Sequence, residues 1–562
     1  LRALAVAFRD NTVVIHNALF DLFVMAHKYG IPAPRKVYDT MLAHHRLYPE
    51  VEKSLGHCIS LYLDREYHKN EGVFEPRNQQ QILSLYHYNA KDVVALALLK
   101  PKLERHAAQL HAKESIQQVN ESITPYLTAM FQGLNYDKDK LDARIAYNNR
   151  YCAQISRMLK LLVGYELNPN SPKQVSNYLY NCMLYKKPAK DLTNEKTLLQ
   201  LRLKHPNPVL TLILKYREMA KQSGQLKFPP YVPRGTTKER VTTAYNLAGT
   251  TSFRLASRRL LGRWGTNVQN FPKDLRKLFI PDEGKVFIQV DQSGAEALIV
   301  SYLCYEGNFR SLFLHGIKSH VYVALRLFAD VWSAELGRSV DEYCAAPIGE
   351  VTKLKGWKEL DTLIKSSDGW PADKRYYFIS KMVCHASNYG MKPPTFRINM
   401  LQKSEGKVSI SLSEAKRFLN TYHELFPEIQ LWQKETINTL RRDGILRNLF
   451  GYPRVFTAQV EESMYKEAYA FVPQSTVGTI TNITFSKMQQ KIENPDDKLS
   501  TMNVDIVQNN HDSVLIQCPP EHADYVAEET VNVMNCELIS PRGEKFRMKS
   551  EACIGDTWGG LA

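Results

Sequence analysis

The chain lacks the features that mark membrane, secreted or disordered proteins. No apolar run approaches the ~20 residues of a membrane span, and no leader-like pattern precedes the first folded segment, so work in an aqueous interior, the cytoplasm, is expected. The nine cysteines (58, 152, 182, 304, 344, 384, 518, 536 and 553) are odd in number and contain no Cys-x-x-Cys pair. That argues against a disulfide framework or a structural zinc site and predicts reduced thiols. Repeats, low-complexity tracts and long charged tails are absent, which excludes solenoids and disordered arms. What remains is an ordinary globular composition, 44% hydrophobic and 23% charged, in 562 residues. That length exceeds one core and predicts about three to five domain-sized units.

The charge is unevenly placed. Residues 201–280 hold sixteen Lys/Arg against three acids (Glu218, Glu239 and Asp274), which is +13 of the net +15. A basic segment this dense commonly faces polyphosphate, and nucleic acid is the commonest such partner. A solvated basic face is the alternative on charge alone.

Along the chain, the first 115 or so residues mix short apolar runs (Thr12–Ile15) with helical stretches (Ile82–Leu99), the pattern of an α/β unit. From Glu114 to about Lys227 the reading is almost wholly helical, interrupted by the turn-forming Asn168-Pro169-Asn170-Ser171-Pro172. The Pro-rich stretch from Phe228 to Pro233 suggests a boundary. Beyond it, Val286–Val290 reads as a buried strand ending in Asp291, and Val504–Gln517 as two strands around a tight turn. Helical patterns lie between them, at Glu296–Cys304, Val321–Phe328, Arg375–Ala386, Leu412–Asn420 and Glu461–Met488.

Asp291 and Asp512 thus sit at the ends of separate apolar strands, rigidly held yet accessible. Such a pair can bind two Mg²⁺ ions about 3.5–4 Å apart for an in-line phosphoryl displacement. Lys381, His385 and Tyr389 are spaced by fours on a predicted helix and share one face, offering a cation to a triphosphate and rings to a base or sugar.

These elements occur in one order together with others, and in that order the sequence resembles a family A DNA polymerase, the DNA polymerase I type of bacteria and many phages. The resemblance runs from about Asn168 to the C-terminus. The family's first polymerase motif matches the run from Gly249 to Ser257, which includes Arg254, followed by Asn267-Val268-Gln269-Asn270-Phe271-Pro272. Motif A, Asp-x-Ser-x-x-Glu, matches Asp291, Ser293 and Glu296; motif B, Lys-x7-Tyr-Gly, matches Lys381, Tyr389 and Gly390; motif C is His511-Asp512-Ser513. Leu449-Phe450-Gly451 with Arg454, and Pro473-Gln474-Ser475-Thr476, complete the series.

The resemblance implies a multidomain α+β right-hand polymerase with palm, fingers and thumb, preceded by a partial RNase H-like α/β exonuclease domain. It implies that Asp291, Asp512 and the backbone carbonyl of Gln292 hold two Mg²⁺, with Mn²⁺ as a substitute. By the same resemblance, Lys381 would bind the phosphates of the incoming dNTP, supported by His320 and, where the helix geometry allows, Arg375. Glu296 would be the steric gate against a ribose 2′-OH, and Tyr389 would close the pocket, with His385 in the ring position four residues after Lys381. Arg254, Gln269, Asn270, Gln474 and His511 would touch the minor groove and primer terminus of a primer–template DNA, with Arg258 and Arg259 along the duplex. The family's Arg four positions before the motif B Lys is Tyr377 here; Lys374 and Arg375 lie nearby, Arg375 about 200° round the helix from that position. Ser513 replaces the second carboxylate of motif C.

Residues 1 to about 113 resemble part of a DEDD-type 3′–5′ exonuclease. His16-Asn17-Ala18-Leu19-Phe20-Asp21 matches its second motif, and Tyr88-Asn89-Ala90-Lys91-Asp92 its third. Asp21 and Asp92 would be metal ligands and Tyr88 would orient water. The first motif, Asp-x-Glu, is absent before Asp21, and the chain starts with Leu, so a fragment without proofreading is expected.

The domains expected are the exonuclease-like unit 1–113, thumb 114–235, palm 236–304 and 438–562, and fingers 305–437 with an insertion near 328–373 that carries Trp332, Trp357 and Trp370. A monomer is expected, with accessory partners unspecified. A single-subunit RNA polymerase, which often ends motif C in His-Asp-Ser, is the nearest enzymatic alternative; a catalytically inactive DNA-binding protein is the other.

Overall fold

The computed structural model describes residues 2–68, 75–190, 192–368 and 375–561. Trp370, Lys374 and the 369–373 part of the expected insertion lie outside the described residues.

The largest described sheet has four antiparallel strands, β1 (Val286–Gln292), β2 (Asp505–Asn510), β3 (Ser513–Cys518) and β4 (Ser550–Gly555), in the order β2-β3-β1-β4. Its central strands read as apolar runs because both faces are covered. Ile288, Val290, Val514 and Ile516 enter one apolar cluster, while Phe287, Val507 and Leu515 enter another with Trp558. Only His511 and Asp512 join β2 to β3. A two-residue hairpin needs positive φ to follow the strand twist, and His511 adopts φ 66° although it is not glycine. Its N–H donates to the Asn509 side chain at 3.2 Å, which helps hold that turn.

Three helices carry the other motifs. Helix α1 (Ala295–Leu303) follows β1 through Gly294 at φ 61°, a backbone setting that glycine adopts without penalty. This abrupt turn leaves Glu296 in the first helical turn, close to the end of β1. Helix α2 (Tyr376–Asn388) packs on the Ser319–Leu327 helix. Helix α3 (Glu462–Glu493) runs past Pro473 through the centre of the molecule and lies against β2. A buried polar network ties these parts together. The Asn509 amide donates to the Tyr126 hydroxyl (2.8 Å), which donates to Asn482 Oδ1 (2.7 Å). The Tyr245 hydroxyl donates to Gln508 Oε1 (2.7 Å). Such a network, once satisfied, favours a single geometry at the floor of the sheet.

The expected insertion folds onto the helices around it. Short helices at Ala329–Leu336, Asp341–Ala345, Ile348–Val351 and Trp357–Ser366 surround buried Trp332 and Trp357, and the Trp332 indole donates to the Ala324 carbonyl at 2.9 Å. The helices Lys138–Val163 and Pro208–Leu226 pair into an arm with its own apolar cluster around Leu159, Leu179, Leu210 and Ile213. The Asn168–Pro172 segment is the expected turn: Asn168 Oδ1 accepts from the Asn170 N–H, and Ser171 caps the next helix. The Lys113–Glu121 and Ile123–Gln132 helices lie away from this arm, and Ile123–Gln132 packs on α3 and β2.

In the N-terminal unit, Thr12–Ile15 pairs in parallel with Lys36–Asp39 across the Ala18–Tyr29 helix, and the long Gln79–Gln109 helix backs them. This unit shares its core with the rest of the chain, since Leu19, Leu22, Phe23 and Leu42 join the main cluster. Polar contacts reinforce the junction. His45 Nε2 lies 3.0 Å from the Thr250 carbonyl, and the Arg46 guanidinium stacks 4.4 Å from the Phe253 ring. Arg454, 3% exposed in its side chain, is held by Glu50 at 2.8 Å and Glu467 at 2.7 Å. Glu50→Gln leaves a buried guanidinium with one exposed partner and is expected to destabilise the protein by about 1–3 kcal/mol, seen as a lower unfolding midpoint. Glu467→Gln is expected to cost less, because that carboxylate is 55% exposed.

Candidate active site

Ser513 pairs across the strands with Asp291, and the Gln292 N–H donates to the Asp512 carbonyl at 3.1 Å. The two aspartates therefore occupy neighbouring strand ends, as their separate motifs imply. Burial first, and the Asp512 charge second, push the Asp291 carboxyl up to about 7. Glu551, its partner on β4, adds to the shift, while Lys273 and Arg276 oppose it. Asp512 is also raised, chiefly by burial, with Arg254 and His511 opposing.

Two crowded carboxylates with raised proton affinity form an oxygen donor set whose repulsion a hard divalent cation relieves, so the residues present fit Mg²⁺. Among the described residues, no group of three or more His, Cys, Asp or Glu side chains could hold a metal. Further ligands must come from main-chain oxygen, water or substrate. The buried Gln292 amide is anchored below, donating to Thr481 Oγ1 (2.7 Å) and the Val477 carbonyl (3.2 Å).

A pH dependence follows. The folded protein keeps a proton on Asp291 that the unfolded chain releases near pH 4, so without metal its stability falls as pH rises from about 4 to 7 and then levels off. Mg²⁺ must displace that proton below about pH 7. The Mg²⁺-induced rise in the melting midpoint is therefore expected to be larger at about pH 8 than at about pH 5.5, and to shrink in Asp291→Asn.

Glu296 lies at the centre of a second cluster. The Arg254 guanidinium donates to one of its oxygens and the Tyr389 hydroxyl to the other. Arg254 follows Phe253, which holds φ 58° under Arg46. Tyr389 is buried at the C-terminal end of α2, and the His385 ring meets it edge-on at 5.0 Å. Residues 42 and 93 positions away along the chain thus converge on one carboxylate.

Lys381 lies on the exposed side of α2, with its ammonium 5.2 Å from the Tyr377 ring and 2.9 Å from the Asp368 carboxylate. His320 packs edge-on against Tyr377 at 5.9 Å, and burial plus the charges of Lys381 and Lys318 push it down to about 4, so it is neutral near pH 7. Arg375 is the N-cap residue of α2; the Glu414 carboxyl is lowered chiefly by its hydrogen bonds with Ser411, with the charges of Arg417 and Arg375 adding a smaller part. The position four before Lys381 is filled by Tyr377, so a ring stands there and not the guanidinium that the resemblance implies.

The remaining residues expected to touch DNA differ in exposure. Gln269 is buried and donates to the Asn509 carbonyl at 3.0 Å, whereas Asn270 is exposed. Gln474 is half-buried on α3, and His511 marks the β2–β3 turn, its pKa lowered by burial and Arg254. Arg258, the last residue of the 244–258 hairpin, and Arg259 just beyond it are exposed. Arg276 and Lys273, which face the aspartates, and Glu551 and Asp368 escaped the motif reading. Pairing register and chain folding bring them in; the dense basic segment was the only signal for the two cations.

In the N-terminal unit, Asp21 is an exposed residue, yet partial burial of its carboxyl and then the Asp39 charge push it up to about 6. Asn17 holds φ 69° and donates its N–H to Asp39 at 3.1 Å. Asp92 is paired with His68 at 2.9 Å, and the Tyr88 hydroxyl with that of Tyr67 at 2.6 Å.

DNA polymerase I of Helicobacter pylori is 22% identical over 98% of this chain and 55% of its own length. The thermostable DNA polymerase I of Thermus aquaticus is 23% identical over 71% of the chain and 42% of its own length. The chain spans about half the length of the relatives it matches. Its fold is similar, at TM-score 0.74 and 19% identity, to the POL domain of Pol1 from M. smegmatis in complex with DNA primer-template and dNTP, covering 100% of this chain and 88% of that one. A 3′–5′ exonuclease family model matches residues 1–108. With the family model matching residues 138–335 and 372–560, the chain belongs to DNA polymerase family A.

Proposed function

We propose that the chain extends a DNA primer on a template, the primer 3′-OH attacking the α-phosphate of a dNTP and releasing pyrophosphate. The observation that carries this is the pair Asp291 and Asp512 on adjacent strand ends, beside the Glu296–Arg254–Tyr389 cluster. Family A polymerases depend on divalent metal. Here Asp291, Asp512 and the Gln292 carbonyl would hold two Mg²⁺, or Mn²⁺, which when bound activate the attacking oxygen and steady the leaving group. Lys381 would hold the dNTP phosphates, with neutral His320 and Arg375 nearby. Glu296, fixed from both sides, would exclude a 2′-OH, and Tyr389 with His385 would cover the nascent pair. Gln269, Asn270, Gln474, His511 and Arg254 would follow the primer terminus, and Arg258 and Arg259 the duplex backbone. Positioning and electrostatics would supply most of the rate.

In this reading 138–226 is the thumb arm, the four-stranded sheet the palm, and the helices of 305–437 the fingers. The protein would act as a monomer in the cytoplasm; among the described residues no helix is long and apolar enough to cross a membrane. Proofreading by this chain would be absent or very weak, since residues 1–20 carry no Asp-x-Glu pair to complete a metal set with Asp21 and Asp92. Extension of an annealed primer with dNTPs and rNTPs in parallel tests the reading. Primer-dependent use of dNTPs is expected, and a primer-independent start with rNTPs would overturn it.

A further inference from the structure

We propose that Asp368 sets the nucleotide affinity of the site by competing, as a tethered carboxylate, with the nucleotide's phosphates for Lys381. The inference rests on the reading of Lys381 as the phosphate-binding cation. Asp368 Oδ2 lies 2.9 Å from Lys381 Nζ, so in the nucleotide-free protein the ammonium is already paired. The contact is built in rather than incidental, because the residue before it is anchored. Ser367 is 5% exposed, and its hydroxyl accepts the Tyr377 N–H at 3.1 Å in the first turn of α2. That bond fixes the chain at Ser367 against the helix carrying Lys381, four residues beyond Tyr377.

The carboxylate comes from the Trp357–Ser366 helix and its exit, within the segment that lengthens the fingers. The segment is thus joined to the phosphate side of the site through a charge. The groups acting on His320 are Lys381, Lys318 and His385, with Asp368 the anion. A triphosphate approaching Lys381 must displace Asp368 and meet its charge at close range. Both side chains are partly exposed, 44% for Lys381 and 40% for Asp368, so exchange is feasible and its effect moderate. Loss of the competitor should therefore tighten nucleotide binding, an outcome that simple structural damage would not produce.

The test is dNTP binding to the enzyme on a dideoxy-terminated primer–template, where no chemistry occurs, alongside steady-state extension. Asp368→Asn is expected to lower the dNTP Kd and KM about threefold to tenfold with kcat nearly unchanged. Asp368→Glu should keep wild-type affinity, and Asp368→Asn should gain little in a Lys381→Ala background. Unchanged or weaker dNTP binding in Asp368→Asn, while Lys381→Ala still weakens binding, overturns the proposal and leaves the role of Lys381 standing. If Lys381→Ala leaves binding unchanged as well, the phosphate-site reading itself falls, and the proposal with it.

Discussion

Replacing Asp291 or Asp512 with Asn is expected to reduce primer extension by about three orders of magnitude or more, with primer–template binding retained. Asn nearly matches Asp in size but removes the charge a divalent cation needs, so the loss falls on the chemical step. The fold should not suffer. Asp291 is held near pKa 7 by burial and by its neighbour's charge, so its ionised form is a cost to the metal-free protein that the substitution relieves. Loss of activity with an equal or higher melting midpoint in EDTA is the expected signature, and it distinguishes a missing ligand from a damaged palm. Ser513 provides the contrast. It is buried beside Asp291, with its hydroxyl 3.5 Å from the Asn510 carbonyl, and Ser513→Ala should change the rate only slightly. A large effect there would mean that the site needs a third oxygen at this position.

Glu296→Ala should produce the second large effect, a rise of about tenfold to two hundredfold in rNTP use relative to dNTP. A pocket discriminates a single added group by steric conflict only if its wall is rigid, and Glu296 is braced from both sides by Arg254 and Tyr389. Truncation opens the space and also frees both partners, so dNTP efficiency should fall by a smaller factor. Tyr389→Phe separates the two consequences, since it removes one brace and keeps the carboxylate. Partial loss of discrimination is expected there, read as the ratio of kcat/KM for matched rNTP and dNTP.

Much of the site was legible because its parts are local. An apolar run ending in Asp291, a two-residue turn holding Asp512 and a helix with Lys381, His385 and Tyr389 spaced by fours all announce themselves over short spans. What was not legible depends on distance along the chain. Glu551 faces Asp291 only because β4 pairs with β1 in one register, and a shift of one residue would turn it to the other face. Asp368 reaches Lys381 through the path of the lengthened fingers segment. The contacts of Arg46 with Phe253 and Glu50 with Arg454 join residues hundreds of positions apart. They make the exonuclease-like unit a brace for the first polymerase motif, through Phe253, and for the later element that holds Arg454, a role that its own sequence does not suggest. The positive φ values of Phe253 and His511 were equally hidden, since neither residue type advertises them.

Template-directed synthesis is the central claim, and it is tested most directly by offering each dNTP singly to primers annealed before each of the four template bases in Mg²⁺. The account predicts incorporation of the complementary nucleotide in every case, lost in Asp291→Asn. Extension that ignores the template base, or that persists in Asp291→Asn, would contradict it.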